Sequence, residues 1–163
     1  MSCQFILERR VRRLVLLGAL LAVAALACAA PSAVLPFAAD TWRELLNSPS
    51  RPLAVVFSTT DCTHCPAVID SLAQELRKSH STVRLAVVVM DGAGQEAALR
   101  ADRHYRKADV LYAFDGDAMA LRYKVNPAWR GLTPYVALIP ARGEAGFHVG
   151  SPPAVALRTF LRP

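Results

Sequence analysis

Hydrophobic and polar positions along this chain change period several times, and the changes mark out its elements. Residues 53–58 (LAVVFS) form an apolar run without alternation, the pattern of a strand covered on both faces. Past a polar turn at 58–61 the period becomes helical, with Val68, Ile69, Leu72, Ala73 and Leu76 recurring on one face. Residues 83–90 (VRLAVVVM) predict a second covered strand, broken by Asp91-Gly92-Ala93-Gly94. The pattern then predicts a helix over 95–106, whose polar face of Arg100, Arg103 and Lys107 is expected to be solvated surface. A strand at 109–114, a turn at 115–117 and a short helix at 118–123 follow.

Near the C-terminus Pro134 precedes an apolar run; proline cannot donate to a ladder, so it fits the first residue of a strand. Residues 141–144 make a hairpin turn, 145–149 the return strand closed by Gly150, and 154–161 a last helix opened by prolines where a helix tolerates them. Before the first covered strand, 34–39 reads as an apolar lead-in and 41–46 as a short helix. Thr41 and Glu44 are spaced as a capping box, and Trp42 is expected in the core.

Residues 1–33 do not read as fold. Arg9, Arg10, Arg12 and Arg13 form a basic region, an uncharged apolar stretch runs from 14 to 28, and small residues follow. This is a cleavable signal peptide or an N-terminal membrane anchor, since the 17 residues 14–30 reach the lower limit of a span. A lipoprotein modified at Cys28 is a third reading, with Ala25-Leu26-Ala27 a poor match to the residues that usually precede it. Each of these places residues 34–163 outside the cytoplasm, as one domain in a periplasmic or similar compartment where disulfides are made and edited. The chain carries a net +6, but the leader holds four Arg and one Glu, which leaves fifteen basic and twelve acidic side chains, or +3. That balance gives no sign of nucleic-acid binding.

The chemistry lies between the first covered strand and the helix after it, in Cys62-Thr63-His64-Cys65. A helix start aims unpaired N–H groups and the positive end of its dipole at Cys62. A thiolate there can accept the N–H groups of His64 and Cys65, so its pKa is expected to fall below that of a free thiol. The i, i+3 spacing brings both sulfurs to one side, close enough to bridge. Cys62 can then attack a partner disulfide and Cys65 resolve the mixed disulfide. Half of a zinc site and a structural bridge are the alternatives. Zinc calls for two further closely spaced ligands, whereas Cys3 and Cys28 lie in the leader and His80, His104 and His148 stand apart. The strand–turn–helix setting favours redox chemistry.

On the apolar strand before Cys62-Thr63-His64-Cys65, Thr133-Pro134 opening a strand, and the closing hairpin and helix, the chain resembles the thioredoxin superfamily, specifically the exported TlpA-like thiol–disulfide oxidoreductases. The likeness spans about residues 41–161. It implies an α/β, thioredoxin-like fold: a central mixed sheet flanked by helices, with an inserted helix–strand unit between the Cys-x-x-Cys helix and the strand that Pro134 opens. It also implies a cis Pro134 against the dithiol, with the Thr133 backbone free to pair with a substrate. Three positions depart from the family. Asp61 stands where Trp is frequent, and its carboxylate opposes a neighbouring thiolate. Val56 stands where many thioredoxins keep a buried carboxylate, and Pro66 removes a donor from the opening turn. His64 acts the other way, since its imidazolium would favour the Cys62 thiolate and make the pair more oxidising.

The function expected is thiol–disulfide exchange on extracytoplasmic proteins, with Cys62, Cys65 and His64 catalytic and Thr133 and Pro134 binding substrate, no cofactor, and an unidentified redox partner protein. Reduction, for example of apocytochrome or copper-protein thiols as in cytochrome c biogenesis, fits the TlpA-like shape; oxidation or isomerisation fits His64. A copper-binding or copper-delivery protein using the cysteine pair and His148 is one alternative, and a redox-inactive interaction domain another.

Overall fold

The computed structural model describes residues 30–79 and 81–162; residues 1–29 of the leader, with Cys3 and Cys28, and also His80, lie outside them. Among the described residues no helix is long and apolar enough to cross a membrane. The elements in chain order are β1 (Val34–Phe37), α1 (Thr41–Leu46), β2 (Leu53–Ser58), α2 (Cys65–Lys78), β3 (Arg84–Val89) and α3 (Glu96–Ala101). A 3₁₀ turn at Tyr105–Lys107 leads to β4 (Val110–Phe114), α4 (Ala118–Val125), β5 (Tyr135–Ile139), β6 (Gly146–Val149) and α5 (Ala154–Phe160). One six-stranded sheet has the order β1-β4-β3-β2-β5-β6, with β1 to β4 parallel and β5 and β6 antiparallel. This is the central mixed sheet flanked by helices that the sequence leads one to expect. The inserted unit is α3 with β4, and β4 enters the sheet between β3 and β1.

All six residues of β2 are buried, because β3 and β5 cover its edges and a hydrophobic layer covers each face. On one face Val56 and Val87 meet Val68, Ile69, Leu72, Ala73 and Leu76 of α2, the stripe read from the helical period. On the other, Phe57 packs among Phe37, Trp42, Trp129 and Tyr135. Trp42 is a core residue as expected, 6% exposed.

Four local expectations change. The lead-in at 34–39 contains an edge strand, β1, paired only with β4 in the register Phe37↔Phe114. Pro36 within it has no N–H to give, which an edge position tolerates and which hides the strand in the sequence. The capping box at Thr41 does not form: Thr41 is already helical, and its hydroxyl accepts the Ala38 N–H at 3.0 Å instead. The helix foreseen over 95–106 stops at Ala101. Asp102 turns extended there, and its carboxylate accepts the N–H groups of His104 (2.7 Å) and Tyr105 (3.0 Å), a local side-chain bond that competes with helix.

The fourth change follows from that break. Lys107 and His104, read as solvated or solitary, both reach Asp70 on α2, at 2.6 Å from Nζ and 2.9 Å from Nδ1. Arg103 Nε in turn donates to His104 Nε2 at 3.0 Å. Burial alone would raise the Asp70 pKa, but the hydrogen bonds from Lys107 and His104 and the charge of Lys107 outweigh it and hold it below the ordinary carboxylate value. The cluster pins the inserted unit to the helix that carries the cysteines.

Replacing Asp70 with Asn is expected to cost about 0.5–1 kcal/mol of stability near neutral pH, the range of partly screened pairs. A carboxylate whose folded pKa is depressed contributes fully above its unfolded value of about 3.9 and loses that contribution as pH falls through the folded value. Urea midpoints of the two proteins should therefore differ at pH 7 and draw together as pH falls below about 3.9. A gap that is constant across this range would contradict the ionic account of the cluster.

Candidate active site

The dithiol sits on the turn that joins the end of β2 to the start of α2. Ser58 is the last covered residue; the chain then leaves the sheet, and Cys62 N–H closes the turn on the Thr59 carbonyl at 3.3 Å. Cys62 and Cys65 are joined as a disulfide, with Cα atoms 5.4 Å apart. The helix begins at Cys65, His64 occupies the N-cap position, and Cys62 lies just outside. Cys65 donates its N–H to Cys62 Sγ at 3.2 Å, so one of the two bonds expected at that sulfur is present and the one from His64 is not. Pro66 falls in the first turn, where no intrahelical donor is lost.

The two sulfurs differ in surroundings. Cys62 is half-buried, while Cys65 is fully buried beneath the helix. His64 is exposed and makes no side-chain cap. Asp61 is exposed beside it, and Val56 is fully buried two residues before the strand ends.

Thr133 and Pro134 arrive from the other side of β2. The antiparallel register Phe57↔Tyr135 sets them at the end of β2 from which the dithiol turn departs. The Thr133–Pro134 bond is cis, as the resemblance implies; a second cis bond, Arg51–Pro52, was not anticipated. Pro134 is buried and Thr133 half-buried, and the Pro134 carbonyl accepts the Gly150 N–H at 2.8 Å. The loop that delivers them is fixed by aromatic packing. Trp129 stacks on Tyr135 with centroids 4.4 Å apart, its Nε1–H donates to the Leu132 carbonyl at 3.0 Å, and Asn126 Nδ2 donates to the Tyr135 hydroxyl at 2.8 Å. Gly131 in this loop has φ +85°, a conformation that favours glycine. Leu132, beside Thr133, is 61% exposed, an apolar side chain next to the dithiol end of the sheet.

His148, the third ligand of the copper reading, lies on β6 and lines a groove between the hairpin and α5. Among the described residues no three His, Cys, Asp or Glu side chains gather into a metal-binding group.

Sequence reading passed over three residues at the site. Ser58 is one of only two buried polar residues among those described, and its Oγ lies 3.3 Å from the Tyr105 hydroxyl. Asp91, directly after the second covered strand, accepts hydrogen bonds from Thr60 in the dithiol turn. The signal for Asp91 was present in the parallel pairing of the two Val-rich runs, which carries the residue after one strand to the turn after the other. Tyr105 had no such signal, since it was placed inside a longer helix.

No protein-family model matches the chain, and no curated protein matches it. Among solved structures it is similar to a secreted Mycobacterium tuberculosis disulfide oxidoreductase homologous to E. coli DsbE. The identity is 19%, over 69% of this chain and 81% of that one, with a TM-score of 0.46. It is also similar to an uncharacterized thioredoxin-like protein from Porphyromonas gingivalis, at 18% identity over 70% of this chain and 78% of that one, with a TM-score of 0.47. Likenesses this distant transfer no residue role.

The unequal burial of the sulfurs has a direct consequence. After reduction, Cys62 should alkylate faster than Cys65 at neutral pH, with an apparent pKa below the free value of about 8.5. Mass spectrometry after brief iodoacetamide treatment reads the order, and equal labelling, or labelling of Cys65 first, would overturn it.

Proposed function

We propose that this protein carries out thiol–disulfide exchange on protein substrates outside the cytoplasm, as a TlpA-like exported oxidoreductase. The observation that supports this most is the Cys62–Cys65 pair at the start of α2, with one sulfur accessible and the other fully buried. In the reducing direction the Cys62 thiolate attacks a substrate disulfide, one substrate sulfur leaves as a thiolate, and a mixed disulfide forms. The Cys65 thiolate then attacks Cys62 Sγ, the second substrate thiolate leaves, and the Cys62–Cys65 bond closes. Two electrons pass from the dithiol to the substrate, and the protons lost by the two cysteines balance those gained by the substrate thiols. The oxidising direction is the reverse of the same steps, and the potential of the pair against its redox partner sets which one runs.

The residues around the pair have distinct parts in this scheme. The Cys65 N–H and the dipole of α2 stabilise a thiolate at Cys62. An imidazolium at His64, on the solvent side, adds to that and favours the reduced state of the pair. Thr133 offers backbone groups to an extended substrate segment while Pro134 fixes the loop. The basic and apolar leader, residues 1–33, supplies export and, if retained, an anchor in the membrane.

Replacing Cys65 with Ser leaves the attack intact and removes the resolving thiol. Mixed disulfides with extracytoplasmic proteins should then accumulate on non-reducing gels, and should be absent from the Cys62→Ser protein. Adducts seen only with Cys62→Ser would reverse the roles, and a wild-type pair that neither reduces insulin nor oxidises a dithiol peptide would remove the proposal.

A further inference from the structure

The turn that presents Cys62 is gripped by side chains from outside its own segment. Its own backbone closure, Cys62 N–H to the Thr59 carbonyl, is long at 3.3 Å. Asp91 takes hold next to that bond: its carboxylate accepts the Thr60 N–H at 2.9 Å to Oδ1 and 3.2 Å to Oδ2, and also the Thr60 hydroxyl. The geometry comes from the sheet. In the β2–β3 register Ser58 faces Val89, and the Met90 N–H donates to the Ser58 carbonyl at 2.9 Å, so two residues further on Thr60 faces Asp91. Where the backbone ladder ends, the carboxylate continues it with charge-assisted bonds.

Asp91 is itself constrained. Gln95 Nε2 donates to its carbonyl at 2.8 Å. At Gly92, a Cβ would lie 2.7 Å from Leu99 Cδ1 and 3.0 Å from Val89 Cβ, so the chain can fold tightly there only without a side chain. On the inner side of the same turn Tyr105 is 8% exposed, with its hydroxyl 3.3 Å from Ser58 Oγ and donating to the Thr59 carbonyl at 3.4 Å. Burial pushes the Tyr105 pKa up, with Asp102 and Asp91 adding to that against the Ser58 bond, so it stays a neutral donor.

We infer that Asp91 and Tyr105 are positioning residues for the dithiol: by clamping Thr59 and Thr60 they hold Cys62 Sγ at the Cys65 N–H and thereby set the reactivity of the pair. The inference rests on the proposed exchange function. Neither residue touches a sulfur in this account; each acts through the turn. Tyr105 belongs to the inserted unit, so that unit reaches the chemistry as well as the sheet.

The test uses the full chain, with two readouts that ordinary structural support would leave in place. These are the pH profile of Cys62 alkylation and the equilibrium of the pair with glutathione. Asp91→Ala and Tyr105→Phe should each shift the glutathione equilibrium by about threefold to tenfold, the range equivalent to one hydrogen bond, and displace the alkylation midpoint. Asp91→Asn keeps an oxygen for the Thr60 N–H and gains an N–H for the Thr60 oxygen, so it should return both readouts most of the way to wild type, short only of the charge-assisted part of the bonds. An Asn variant as altered as the Ala variant would show that the carboxylate acts by its charge and overturn the positioning role. Unchanged profiles in folded Asp91→Ala and Tyr105→Phe would overturn it too. Should Tyr105→Phe not fold, Thr60→Ala reads the clamp from an exposed residue. Its effect should be smaller than that of Asp91→Ala and non-additive with it, and simple additivity counts against the clamp. If the wild-type pair does not exchange with glutathione at all, it is the exchange function itself that fails.

Discussion

The constraint on which the rest of this molecule depends is the complete burial of β2. With β3 and β5 on its edges and an apolar layer on each face, Ala54 to Phe57 are wholly buried and Leu53 nearly so. A charged group there would carry a desolvation cost of several kcal/mol without a partner. Val56 is accordingly apolar, and the first polar side chain is Ser58, at the end of the strand. Polar chemistry is displaced to the turn beyond, and the parallel sheet brings the ends of its other strands to the same place. In parallel α/β sheets this end of the strands is the usual position for a site.

How much of this was legible in the sequence divides along physical lines. The covered strands, the amphipathic face of α2 and the dithiol between them were legible because period and burial coincide: Val56, Val87, Ile69 and Leu72 each occupy the place their pattern implies. Pro134 was legible because a missing donor restricts a strand to few arrangements. What escaped depended on long-range partners or on local competition. β1 is a strand only because β4 offers it an edge. The helix after Gln95 ends early because Asp102 takes up two N–H groups for itself, and nothing in the periodicity of 95–106 records that bond. The same break turns His104 and Lys107 toward Asp70, 34 and 37 residues earlier in the chain. At the candidate site, the sequence pointed to Cys62, His64, Cys65, Thr133 and Pro134, which the fold brings to one end of the sheet, while the neighbours Ser58, Asp91 and Tyr105, whose placement depends on cross-strand register and a buried hydroxyl, were not legible.

The inserted unit is therefore coupled to the site at three places. β4 completes the sheet beside β3, the Asp70 cluster ties the 3₁₀ turn to α2, and Tyr105 lies beneath the dithiol turn. The first contact is apolar and backbone-bonded, the second ionic and partly exposed, the third a buried hydroxyl. They respond differently to conditions: acid weakens the second, while neither acid nor salt removes the other two. An insertion held only by β4 could be altered without consequence for the cysteines, whereas one that also holds α2 and the turn cannot.

Charge around Cys62 sets one short-range influence against several longer ones. Each of the four parallel strands is followed within three residues by an aspartate: Asp40, Asp61, Asp91 and Asp115. A carboxylate near Cys62 opposes a thiolate there, and the Cys65 N–H, the α2 dipole and an imidazolium at His64 favour it. The opposing charges are not equal in effect. Asp40 is paired with Arg43 at 3.0 Å, and the Asp91 carboxylate is occupied by the N–H and O–H of Thr60. Exposed carboxylates act through water and mobile ions, and their influence fades over a Debye length of about 8 Å at physiological salt. The N–H group at 3.2 Å from the sulfur has no water between it and its acceptor, and α2, at 14 residues, carries a full macrodipole behind it. The balance at Cys62 is thus governed by how well the turn holds sulfur and N–H together, which makes the hydrogen bonds to Thr59 and Thr60 part of the electrostatics of the pair as well as of its shape.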